Sequence, residues 1–276
     1  MSISEAMIPQ QAPPAPPPRP WTGARIAGTA LIGFWVIAGI GLVLYLIRAW
    51  DPGYAVKYAP RFLAGIETTL VLVVISICIG ALLSVPIAFG RMSKNRLFSG
   101  LAFGYVYFFR GTPLIAQLFL IYYGFGTFHK ELDAIGLWIF FRNAWNCALF
   151  AFTLNTAAYQ AEMLRGAIES VPRGQFEAAA ALGLSKFQTF RKIVLPQAAI
   201  VVLRPYGNEV ILMIKGSAVV AIVTVLDLMG QTRYIFSRTF DFQSYIWAAI
   251  LYLIVVEVLR NILARIERRL TRHLER

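Results

Sequence analysis

Five ionisable side chains interrupt stretches of this sequence that are otherwise apolar: Arg110, Glu162, Glu209, Lys215 and Glu257. A charged group inside hydrocarbon costs ~2.5–3.5 kcal/mol on insertion scales unless it is paired or wetted, so each of the five needs a partner. A carboxylate at Glu162 or Glu209, with Asn208 beside the second, could receive the ammonium or guanidinium of a cationic solute through charge-assisted hydrogen bonds. The same carboxylates could equally form structural ion pairs with Lys215 or Arg165. Lys215 follows Glu209 by six residues, so the two do not share a helix face and a pair between them would need a bend. Arg110 is followed by Gly111 and Pro113, a combination that breaks a helix, and the freed carbonyls could receive its guanidinium. A contact between Arg110 and substrate is the other reading. Asp227 falls near the outer end of its apolar stretch, where hydration is expected.

Other chemistries are excluded. The sequence has no G-x-x-x-x-G-K-[ST] run and therefore no P-loop, and no H-E-x-x-H pair of metal ligands. Both histidines, His129 and His273, fall outside the apolar stretches. Cys78 and Cys147 lie inside such stretches and read as small buried hydrophobes, with neither disulfide nor metal-ligand spacing. The chain is thus expected to hydrolyse nothing itself and to hold no metal or cofactor. Its net charge of +12 does not point to nucleic acid. A nucleic-acid surface clusters its Lys and Arg on a soluble face, whereas here they sit mainly between apolar blocks.

The elements that must position these groups are membrane helices. Of 276 residues, 58% are hydrophobic and 14% charged, with a mean hydropathy of +0.63; soluble domains carry about 25% charged residues. A helix crossing the hydrocarbon needs about 20 mostly apolar residues. Six segments qualify: Ala27–Ile47, Ile66–Phe89, Leu101–Phe125, Ala144 to about Leu164, Pro205–Leu228 and Tyr245 to about Leu263. The first carries no charge and reads as a lipid-facing anchor. The last four contain charges, glycines or prolines and should face protein or an aqueous path. The expected fold is an all-α polytopic bundle. Residues 1–26 form a Pro-rich tail lacking the basic start and apolar follow-on of a signal peptide. Residues 265–276 form a basic tail whose charge positive-inside sorting is enough to explain, and which would also suit anionic lipid headgroups.

Charge sorting orients the bundle. With the N-terminus inside, the inner segments hold seventeen Lys and Arg residues and the outer segments seven. Positive charge is retained on the cytoplasmic side, so both termini are expected there.

The longest inner loop, residues 169–197, has a grammar of its own. Ser170 is placed to cap a helix with Pro172 in its opening turn. Strong helix formers run from Gln175 to Leu182, and Gly183 can take the left-handed conformation that closes a helix. Ser185 and Gln188 form a capping box for a second helix, expected to stop at Pro196. The two helices would make an elbow.

The residues Glu177, Ala178, Ala179, Gly183, Ile193, Leu195 and Pro196 fill the spacing E-A-A-x3-G-x9-I-x-L-P, which resembles the EAA loop of type I ABC importer permeases. The flanks narrow the resemblance to the polar amino-acid permeases, in particular the "M" component of the histidine, basic amino-acid and opine systems. They are Phe109-Arg110-Gly111-Thr112-Pro113-Leu114, Leu154-Asn155-Thr156-Ala157-Ala158-Tyr159, and Pro205-Tyr206-Gly207-Asn208-Glu209-Val210. The match runs from about Gly65 to Arg272. Two features depart from it: the leading helix 27–47, added to a permease domain at 66–264, and Lys215-Gly216-Ser217, where many relatives carry a different triplet.

The resemblance implies a bacterial inner-membrane protein that works beside a second permease subunit. Two ATPase subunits, which bind the ATP and Mg, would dock on the loop, and a periplasmic solute-binding protein would deliver a cationic amino acid or opine. The alternatives are a permease for neutral or acidic amino acids, or an ion-coupled secondary transporter. The latter would show inverted repeats and midplane relays of Asp, Glu or His, and neither is evident.

Overall fold

The computed structural model describes residues 22–272. Most of the Pro-rich tail and the last four residues, His273 among them, lie outside them. The described residues are helical, without strands, and divide into two units, 22–51 and 52–272.

The first unit is one helix, α1 (Gly23–Ala49), opened by Thr22, whose side chain accepts from the Arg25 amide. Apolar side chains such as Ile32, Trp35, Ile37 and Tyr45 are exposed around it, as a helix that is hydrophobic on every side requires of its surroundings.

The second unit begins with α2 (Pro52–Arg91), whose 40 residues span about 60 Å at the usual rise. It packs most extensively on α5 (Ala144–Glu169). The two approach at Gly80, where an added Cβ would stand 2.6 Å from Thr156 Cγ2 and 3.3 Å from the Ala157 amide. Small residues let backbones come this close, and where lipid supplies no hydrophobic drive, van der Waals contact holds helices together. Around this crossing lie Leu72, Val73, Ile77, Ala148, Ala151 and Phe152, all buried.

The segment expected as one span at Leu101–Phe125 is broken. Helix α3 (Arg96–Gly111) is capped by Asn95 and ends at Thr112, which is extended. After Pro113 the chain resumes as α4 (Leu114–Phe119), followed by a wide π turn at Leu120–Gly124. Short helical turns at His129–Ala134 and Trp138–Phe141 lead into α5. Proline supplies no amide hydrogen and disfavours helical backbone in the residue before it, so the break falls at Thr112–Pro113.

Beyond α5, α6 (Arg173–Ala181) and α7 (Lys186–Thr189) form the loop, and a π turn at Phe190–Val194 joins α7 to α8 (Leu195–Gly216). A 3-10 stretch, Ser217–Val223, then leads through Thr224 to α9 (Leu228–Thr239) and α10 (Gln243–Thr271). Four helical stretches meet both the length and the apolarity of a span: Gly23–Tyr45, Pro52–Arg91, Lys186–Val223 and Gln243–Thr271. The broken α3–α4 segment and the 26-residue α5 make up the six expected.

Four expectations are corrected. Cys78 is exposed and only Cys147 is the buried small side chain expected of both. Ser170 opens no helix: it closes α5, its hydroxyl donating to the Ala167 carbonyl at 2.7 Å, and Pro172 holds the cap position of α6. The second loop helix does not stop at Pro196. The π turn before it widens the backbone around the Lys192 carbonyl, with which the proline ring would otherwise clash, and the helix runs on into the span. Asp227 is not hydrated but fully buried, capping α9 through the Gly230 amide at 2.8 Å and accepting from the Tyr252 hydroxyl at 3.3 Å.

Candidate functional site

The elbow is built from its backbone outward. Helix α6 closes with the Leu184 amide donating to the Ala179 carbonyl and the Gly183 amide to the Ala180 carbonyl, both at 3.0 Å. Gly183 sits at φ +70°. This reciprocal pair with a left-handed residue between is a Schellman closure, and it reverses the chain within three residues. Ser185 then accepts from the Gln188 amide while the Gln188 side chain accepts from the Ser185 amide, completing the capping box.

Ala179, Thr189 and Val194 face inward and are buried, and Phe190 meets Phe89 of α2 with ring centroids 5.8 Å apart. Glu177, Ala178 and Pro196 face outward, as do Leu195 and the apolar side chains of Phe176, Leu182 and Phe187, the last two 77% and 70% exposed; Ile193 is half-buried. A loop that displays bulky apolar groups around an alanine face has the composition of a contact surface.

A second constellation lies where α2, α3 and α5 meet. Glu162 accepts from Arg91 Nε at 2.9 Å and from Arg165 at 2.8 and 3.1 Å, and Arg110 Nη1 stands 3.7 Å away. Arg165 continues to Glu169 at 2.6 Å. Arg91 lies over the Phe103 ring and Arg110 over that of Tyr159. Arg91, Phe103, Arg110, Tyr159 and Glu162 line a cleft of about 320 Å³. One carboxylate thus serves three guanidiniums, and the partner of Arg110 is Glu162 with Tyr159.

The carbonyls freed at the helix break go elsewhere. Gln117 Nε2 donates to the carbonyls of Phe109 and Thr112 at 2.9 and 3.0 Å, Asn155 Nδ2 reaches Phe109 at 3.1 Å, and Asn155 also donates to Gln117 Oε1 at 2.9 Å. Gln117 and Asn155 are buried, and the pair locks the break of α3–α4 against α5.

Glu209 forms neither expected ion pair. It is buried, and its carboxylate accepts from the Thr156 hydroxyl at 3.0 Å; Gln160 donates to the same hydroxyl and to the Ile77 carbonyl. Lys215 is exposed, and Asn208 lies in a groove of about 360 Å³ between α8 and α10, where Arg204 pairs with Glu267. Glu257 pairs with Arg260 at 2.9 Å, one turn along its own helix. The structure therefore brings Glu162 and Arg110 together in an ion pair that Glu209, Asn208 and Lys215 do not join. Arg91 and Gly80 carry no site signal in the sequence, where Arg91 reads only as a loop charge, whereas Gln117 belongs to the segment that resembles the polar amino-acid permeases after Phe109–Leu114.

These features define a multi-pass membrane protein with partly exposed ion pairs between its helices and a rigid helical elbow fused to one span. The chain belongs to the family of binding-protein-dependent transport system inner membrane components, whose model matches residues 76–272. It is 45% identical to the nopaline transport system permease protein NocM of Agrobacterium fabrum, over 78% of this chain and 90% of that one. It is 40% identical to the histidine/lysine/arginine/ornithine transport system permease protein HisM of Escherichia coli, over 82% and 92%. Among solved structures it resembles an amino acid ABC transporter crystallised with histidines, with a TM-score of 0.71 and 36% identity over 80% of this chain and 99% of that one. The fold is also that of the methionine ABC transporter MetNI, with a TM-score of 0.64 and 22% identity over 78% and 98%.

Proposed function

We propose that this chain is the membrane-spanning permease subunit of an ATP-driven importer for a cationic amino acid or opine. In this reading a soluble binding protein presents the solute on the outer side, a second permease subunit completes the path, and a pair of ATPase subunits docks on the loop at 169–197 from the cytoplasm. Both termini lie inside, in keeping with the distribution of Lys and Arg. The observation that carries the reading is the join between elbow and span. Because α7, the π turn and α8 are continuous, a push on the alanine face of α6 moves a 38-residue helical stretch as one body. Rocking of a rigid span about a central site is how alternating access is driven. With no P-loop in its sequence, the chain receives this work from the ATPase.

The cationic solute is supported by relatives named for nopaline, octopine, and histidine, lysine, arginine and ornithine. Of the two candidate carboxylates, Glu162 is engaged by its arginines, which favours a structural role for it and for Arg110. Glu209 has no ion pair within 4 Å among the described residues, so it is the better acceptor for a solute cation once helix movement opens the contact with Thr156. The test is uptake by the full complex in liposomes with lysine, arginine, histidine and ornithine competing against neutral and acidic amino acids. Cationic solutes should be preferred and Glu209→Gln should weaken that preference; preference for a neutral solute would overturn the assignment.

A further inference from the structure

A groove between α2 and α3 has no part in the transport reading. It holds about 700 Å³, within the size range of small-molecule sites. Leu83, Pro86 and Phe89 of α2 line it, with Phe98, Leu101 and Tyr105 of α3 and Leu154 of α5. The Tyr105 hydroxyl donates to the Leu154 carbonyl at 2.7 Å, so the polar tip of that side chain is already satisfied. What the groove offers a ligand is therefore hydrocarbon, and Phe98 and Leu101 are exposed.

Charge lies at one end of it. The lining continues through Gly90 to Ser93, and the turn between α2 and α3 brings Lys94 and Arg96 to this end. Both are exposed, and neither forms an ion pair among the described residues. Arg91 beside them is already engaged by Glu162. Asn95 caps the 16-residue α3 through the Leu97 amide at 2.9 Å, and the positive end of that helix favours an anion at the same turn. From Leu83 to Gly90 the lining runs about 10 Å along α2 at the helical rise. One leaflet supplies ~15 Å of the ~30 Å hydrocarbon, so the groove fits within a single leaflet.

We infer that the groove seats an acyl chain of an anionic phospholipid of the cytoplasmic leaflet, whose phosphate rests on Lys94 and Arg96. The choice of leaflet rests on the proposed function, which puts this turn and the elbow on the cytoplasmic side. Lys and Arg next to a span attract anionic headgroups, and a lipid is the ligand that joins such a headgroup to an apolar chain. A free anion would satisfy the cations and leave the groove empty. A helix of another subunit crosses the full ~30 Å and would need a track of that length, whereas this one ends at Leu83. The bound chain also reaches the elbow. Phe89 lines the groove and meets Phe190 in the π turn that leads into α8, so a chain packed on Phe89 braces the joint between elbow and span.

The experiment uses the full complex in nanodiscs of phosphatidylcholine with or without phosphatidylglycerol. Native mass spectrometry of the released complex counts the lipid retained, and ATP hydrolysis stimulated by the solute-binding protein reads the joint. Phosphatidylglycerol should be retained in preference to phosphatidylcholine and should raise stimulated hydrolysis. The paired change Lys94→Gln with Arg96→Gln, at exposed positions that leave folding intact, should weaken its retention about 5- to 30-fold. Leu83→Trp, which fills the groove and keeps the charges, should also lower retention, and both variants should lose the stimulation by phosphatidylglycerol. Unchanged retention in both variants overturns the site. Weakened retention in the paired variant alone, with Leu83→Trp unaffected, overturns the seated chain. Retention lost with no change in stimulated hydrolysis overturns the brace on the elbow. A cross-link from Leu101→Cys to another subunit overturns the lipid in favour of a protein helix. Retention is read apart from transport: a complex that keeps the lipid but ignores every binding protein supports the site and overturns the transport reading.

Discussion

Gly183 offers the cleanest perturbation of the coupling between elbow and span. It sits at φ +70°, and a Cβ built on it would meet nothing within 4 Å. A substitution there therefore acts through the backbone alone. For an L-residue the left-handed conformation costs about 1–2 kcal/mol, least for Asn, whose side chain bonds locally. Gly183→Ala should fall in this range and Gly183→Val above it, because a β-branched side chain tolerates positive φ poorly. A loss of one or two kcal/mol lowers the ratio of formed to unformed elbow by about 5- to 30-fold. Capture of the partner ATPase by the solubilised permease, and ATP-driven uptake in liposomes, should decline in the order Gly, Asn, Ala, Val. The spans should insert normally in all four, since the glycine contacts none of them. Equal activity of Asn and Val variants would refute a torsional origin, and full activity of Val would refute the coupling role of the elbow.

Three further outcomes follow from the packing. Gly80→Val should destabilise the bundle by about 1–3 kcal/mol through overpacking against Thr156 and Gln160, seen as a lower unfolding temperature in detergent, whereas Gly104→Val in α3, where an added Cβ meets nothing within 4 Å, should change it far less. Glu162→Gln removes the shared counter-charge of Arg91, Arg165 and Arg110; thermal stability should drop more than for Glu257→Gln, which breaks a half-exposed pair, and equal effects would contradict the hub. Gln117→Met leaves the Thr112 carbonyl and one Asn155 donor without their buried partner at a cost of about 1–3 kcal/mol per group, and should loosen the helix break, read as faster hydrogen exchange at residues 109–117.

Much of this protein is legible in its sequence because the bilayer makes few demands and makes them locally. Apolar length sets the spans, and the Gly183 closure and the Ser185–Gln188 box are local motifs whose residues lie within a few positions of one another. The number of segments, the break after Gly111 and the elbow could all be read in advance. Of the partners of the charged groups, only Arg165 for Glu162, one turn along the same helix, could be named in this way. Glu162 meets Arg91 across 71 residues and Glu209 meets Thr156 across 53, distances over which no local rule applies. Pro196 shows the limit from the other side: a proline ordinarily ends a helix, and only a π turn set against α2 through Phe190 carries the chain past it. The sequence by itself determined that the chain spans a membrane and carries an elbow of fixed design. Tertiary structure alone decided which charges on different helices meet, because a charged group takes whichever partner the helix crossings bring to it.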